Sequence, residues 1–179
     1  MRRPFRPLAC AALLALPASL LAAGASPPIT AAGDFHPLPH AAYQPDPHAT
    51  YKVVFALTKD SAKPDQINPG IEHVARAVNL YASAGVPLSH LKFVAVASGP
   101  ATALALDDAH YRAQFGVANP NLPVIAQLHK AGVAVVVCGQ AMAEHHYDDA
   151  WAAKDVTVAL SALTTVTELE QRGYGLMPL

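Results

Sequence analysis

Three runs along the chain are apolar at nearly every position and rich in β-branched and aromatic residues. They are Tyr51-Lys52-Val53-Val54-Phe55-Ala56-Leu57, Leu91-Lys92-Phe93-Val94-Ala95-Val96-Ala97 and Val133-Ala134-Val135-Val136-Val137-Cys138. So little polar alternation over five to seven residues predicts strands covered on both faces, as in a parallel sheet. A shorter run at residues 156–158 and a closing one at 174–177 extend the set to five.

Between the runs the apolar period changes to that of a helix. Asn68 followed by Pro69 is a cap and first-turn signal. After it Ile71, Val74, Ala75, Val78, Tyr81 and Ala82 fall on one stripe, while Glu72, His73, Arg76 and Asn79 face away, and Gly85 ends the helix. Leu122, Ile125 and Leu128 precede a similar stop at Gly132, and Leu160, Leu163, Val166 and Leu169 precede one at Gly173. Asp107 is placed to cap a short helix through Phe115, ended by Gly116. Strands alternating with helices at this spacing imply right-handed βαβ units. The expected class is therefore α/β, a layered sandwich around a mostly parallel sheet of about five strands. The competing arrangement is α+β with an antiparallel edge.

The N-terminus changes the picture. Arg2, Arg3 and Arg6 precede an apolar stretch from Leu8 to Leu21, and Ala23-Gly24-Ala25 follows. A positive segment, an apolar core and small residues make a secretory leader over residues 1–25, so the expected location is periplasmic. No later stretch is long enough for a membrane helix. Residues 26–50 hold six of the 16 prolines and three of the nine histidines, His36, His40 and His48, with little periodicity. They read as an extended tail with nothing to bury, leaving one domain over residues 51–179.

Removing the leader takes away three arginines, leaving nine Lys and Arg against 13 Asp and Glu, a formal charge of −4. A mildly acidic exported domain offers no electrostatic footprint for nucleic acid. Of the two cysteines, Cys10 leaves with the leader and Cys138 remains, so an internal disulfide is excluded.

Parallel sheets present reactive groups beyond the C-terminal ends of their strands. Here those ends are Thr58-Lys59-Asp60, Ser98-Gly99-Pro100 and Cys138-Gly139-Gln140. Cys138 is the strong nucleophile among them. A helix starting near Gln140 would favour its thiolate, and His145 and His146 lie close enough in sequence to add positive charge. Cysteine is also among the most buried residue types, so simple packing at the end of a valine run stands as an equal alternative. His145 and His146, with Glu144, Asp148 and Asp149, form a polar face whose spacing matches no zinc pattern. The chain has no GxGxxG, Walker A or GxSxG motif, which argues against dinucleotide, nucleoside triphosphate and α/β-hydrolase chemistry.

From Tyr51 to Leu179 the chain resembles the DsrE/DsrF-like (TusD-like) family, in an exported branch. The resemblance is carried by Ala75-Arg76-Ala77-Val78-Asn79-Leu80-Tyr81, Leu91-Lys92-Phe93-Val94-Ala95-Val96, Asn119-Pro120-Asn121-Leu122, Val137-Cys138-Gly139-Gln140 and the closing Gly173-Tyr174. It implies a flavodoxin-like three-layer sandwich that assembles into homotrimers or hexamers. It also implies a persulfide carried on the cysteine after a core strand, a role that falls on Cys138 alone, with a sulfur-donor or acceptor protein as partner and no organic cofactor. The function expected is thus a periplasmic sulfur carrier or thiol-redox protein acting through Cys138, and the competing reading is a non-catalytic oligomeric module that binds a ligand or protein over the strand ends.

Overall fold

The computed structural model describes residues 26–179; the leader expected at residues 1–25 lies outside the described residues. Five strands form one sheet in the order β4-β3-β2-β1-β5, with every neighbouring pair parallel. They are β1 (Tyr51–Leu57), β2 (Leu91–Ala97), β3 (Ala134–Cys138), β4 (Val156–Ala159) and β5 (Gly175–Pro178). The antiparallel-edge alternative is excluded. Among the described residues the one antiparallel contact is an isolated bridge between Leu106 and Ala152, outside the named strands.

Helices α1 (Pro69–Ser83), α2 (Asp108–Phe115), α3 (Leu122–Lys130), α4 (Gly139–Glu144) and α5 (Ala162–Gln171) fill the crossovers. The caps explain their starts. The Asn68 side chain accepts from Gly70 N, and Pro69 occupies the first turn, where a missing N–H costs nothing. Asp107 accepts from His110 N at the start of α2.

The larger core packs Phe55, Leu57, Phe93, Ala95, Val135 and Val137 against Ile71, Val74 and Val78 of α1 and Val124, Ile125 and Leu128 of α3. The opposite face centres on Val54, Val96 and Val136, with Ala162, Val166 and Leu169 of α5 laid over them. Alternate residues of each strand thus feed opposite layers, which is why these strands are apolar throughout.

Three expectations change. Asn79 does not face away: it is 1% exposed, because its side chain holds residues 29–33. The segment expected to have nothing to bury does bury a residue. Ile29 is 1% exposed and joins the core beside α1. The stripe expected through Leu160 and Leu163 is only half buried. Ser161 caps α5, so Leu160 precedes the helix and both leucines stay exposed, while Val166 and Leu169 meet the sheet.

Candidate functional site

The C-terminal ends of β1, β2 and β3 are neighbours in the sheet, so Thr58, Ser98 and Cys138 share one edge of the molecule. Around them a network of buried asparagines fixes the loops. Asn68 N donates to Asn121 Oδ1 at 2.8 Å, and Asn68 Nδ2 to Lys59 O at 2.7 Å. Asn121 Nδ2 donates to Asn119 Oδ1 at 2.9 Å, and Asn119 Nδ2 donates to the carbonyls of Leu104 and Leu106. All three side chains are at most 4% exposed and fully engaged, so Asn119-Pro120-Asn121 serves the frame that holds the strand ends.

Cys138 is the last residue of β3 and the N-cap of α4. Its register partner is Ala159, the last residue of β4. The elbow that follows is tight. A Cβ on Gly139 would lie 2.8 Å from Ala159 O, so only glycine lets the chain turn into α4 this close to β4. Gln140 Nε2 donates to Leu160 O at 3.4 Å across the same gap.

The residue is 5% exposed, so within a single chain the sulfur is largely covered. Its surroundings are nonetheless polar. Ala141 N donates to Sγ at 3.5 Å. Burial pushes the thiol up, but hydrogen bonds from Ala162 N, Ala141 N, the Ser161 hydroxyl and Gln140 N together outweigh it and hold the thiol below its ordinary value. The sulfur thus takes its hydrogen bond from the start of α4, with the corner that leads into α5 beside it.

The sequence placed the sulfur at this edge and at a helix start, and both placements hold. It missed the second helix start. The available signal was Ser161 standing just before the apolar stripe of α5, an N-cap pattern. The histidines expected to assist are not among the sulfur's hydrogen-bond partners; its donor is Ala141 N. His145 is exposed, donates from Nε2 to Gly99 O at 3.2 Å and stacks on Tyr147. His146 is exposed in a left-handed turn at φ 57°. Among the described residues no three His, Cys, Asp or Glu side chains gather as a metal site, and no helix is long and apolar enough to cross a membrane. Cys138 is the one free cysteine among the described residues.

The DsrE/DsrF-like family model matches residues 52–179, from the first strand to the C-terminal residue. The chain belongs to the DsrE/DsrF-like family. A protein of unknown function from Methanobacterium thermoautotrophicum shares the fold at a TM-score of 0.54 and 17% sequence identity. The match covers 72% of this chain and 99% of that one. No curated protein matches the chain. Membership in the DsrE/DsrF-like family links the chain to sulfur-relay functions. The segment at residues 26–51, including the part clamped by Asn79, lies outside the family match.

Proposed function

We propose that this DsrE/DsrF-like protein is an exported, periplasmic sulfur carrier in which Cys138 holds a persulfide between a donor and an acceptor protein. The observation that carries the proposal is the sulfur's position at the end of β3 and the start of α4, where Ala141 N donates to it at 3.5 Å and its pKa is held below the ordinary value in spite of burial. A cysteine that merely fills space at a strand end needs no such donors, and burial alone would raise its pKa. The chemistry is thiol exchange and needs no organic cofactor. The leader-like N-terminus supports the location.

Because the residue is 5% exposed, transfer requires the elbow between β4 and α5 to yield when a partner docks. Local openings of this kind come from the less buried parts of a fold. α5 fits that description: its ten residues include none that is fully buried.

The test is incubation of the purified protein with a low-molecular-weight persulfide donor, followed by intact-mass analysis. A gain of one sulfur atom, absent in Cys138→Ser, is expected. A folded wild-type protein that gains none refutes the carrier reading.

A second reading is favoured by a separate observation. Leu160 and Leu163 are 73% and 82% exposed beside the sulfur, and Leu176 and Met177 are exposed on β5. In this reading the chain is a homo-oligomeric binding module, trimer or hexamer, and Cys138 is structural. It predicts that Cys138→Ser leaves assembly and cellular phenotype intact. Loss of the phenotype with assembly unchanged counts against it.

A further inference from the structure

The approach to β4 builds a second concave surface. Asp107 N donates to Trp151 O at 2.8 Å, Leu106 bridges Ala152, and Ala153 N donates to Ala105 O at 2.8 Å. Residues 105–107 and 151–153 therefore run side by side and antiparallel. Between this strip and the first turns of α3 lies a cleft of about 620 Å³. Small-molecule sites typically measure about 300–1,000 Å³. Leu122, Ile125 and Ala126 form one wall, and Ala152 and Ala153 the other. Ile125 and Ala153 are buried, so the core fixes both walls. Cys138 does not line the cleft.

Charge is distributed unevenly along it. At one end the Asp107 carboxylate is already engaged, accepting from His110 N at 2.8 Å and lying 2.9 Å from His110 Nδ1. At the other end, just beyond Ala153, the lining continues in Lys154 and Asp155. These are opposite charges on adjacent residues, and neither takes part in an ion pair among the described residues.

We propose that this cleft binds an α-amino acid with an apolar side chain. Its carboxylate meets Lys154, its ammonium meets Asp155, and its side chain lies along Leu122, Ile125 and Ala126. A plain carboxylic acid would satisfy Lys154 but set its charge against Asp155. A plain amine would satisfy Asp155 and oppose Lys154. Only a zwitterion joined to an apolar body matches both charges and the walls. This binding is independent of sulfur transfer at Cys138.

The test is calorimetric titration of the purified protein with L-phenylalanine. Three comparison ligands each lack one feature: glycine the apolar body, phenylalanine amide the carboxylate, and hydrocinnamate the ammonium. Saturable binding of L-phenylalanine is expected, with each comparison ligand about tenfold weaker or worse. Lys154→Glu and Asp155→Lys should each weaken L-phenylalanine by about tenfold. Ala126→Phe should abolish binding by filling the cleft. All three side chains are at least partly exposed, so the variants should fold, which circular dichroism verifies. No binding to the wild type overturns the proposal, as does binding that all three folded variants retain unchanged. Comparison ligands that bind as tightly as L-phenylalanine overturn the assigned ligand class.

Discussion

The N-terminal clamp gives the sharpest energetic prediction. Asn79 sits on α1 at 1% exposure and makes three hydrogen bonds to the preceding segment. Ile29 N donates to its Oδ1 at 3.0 Å, and its Nδ2 donates to Ile29 O at 2.8 Å and Gly33 O at 3.1 Å. In Asn79→Ala all three backbone groups lose their partner. A hydrogen bond contributes about 0.5–1.5 kcal/mol net, and a buried group left unpaired costs more. If the segment instead lifts away, the loss includes burial of Ile29, about 1.5–3 kcal/mol. Either route gives a destabilisation of about 2–4 kcal/mol, or about 5–15 °C in Tm for a domain of this size. Urea unfolding measures the first quantity. Hydrogen exchange at residues 29–31 distinguishes the routes, because Thr30 N and Ala31 N are held separately by Gln127 Oε1. A loss below about 1 kcal/mol, with exchange at Ile29 as slow as in wild type, refutes the clamp as an energetic element.

The remaining predictions concern the same segment, the sulfur elbow and acid stability. Gly33→Ala should release the segment independently of Asn79, since φ is 82° and the new Cβ would lie 2.5 Å from Arg76 N; faster exchange at residues 29–31 is the readout. Gly139→Ala should force Ala159 away from the elbow, costing about 1–3 kcal/mol in urea unfolding and raising the alkylation midpoint of Cys138. The thiol lies lower in the folded chain than its ordinary value, so its deprotonation favours folding. Wild type should therefore gain stability over Cys138→Ser as pH rises from the folded midpoint towards the unfolded one, and lose that gain as pH falls back. Asp107 is lowered chiefly by the His110 N–H it caps, so its contribution is present above the ordinary carboxylate range and disappears on acidification through its lower folded value. Asp107→Asn should flatten that acid limb in a pH series of thermal melts.

The strands were legible because burial on both faces leaves almost no freedom in composition. Residues 51–57 and 91–97 form β1 and β2 with the predicted bounds. Helix starts were legible where a side chain caps them, at Asn68 and Asp107. Asn79 was misread because periodicity sees a polar residue only as an outward one. Its burial depends on a segment more than forty residues earlier in the chain, which no local pattern reports. Ile29 was missed for the same reason, being a single apolar residue in a stretch without periodicity. At the site, Cys138 at a strand end was readable from the valine run. The start of α5 was signalled by Ser161, but that it lies next to Cys138 follows only from the register of β4 against β3, a tertiary fact. The histidines were overvalued because closeness in sequence does not aim a ring: His145 turns to Gly99 O.

The measurement that bears most directly on the account is the pH dependence of Cys138 alkylation in the native wild-type protein. A single midpoint below that of an ordinary thiol, lost on unfolding, is the predicted result. A midpoint at or above the ordinary value, or a native sulfur that never reacts until the chain unfolds, contradicts the account.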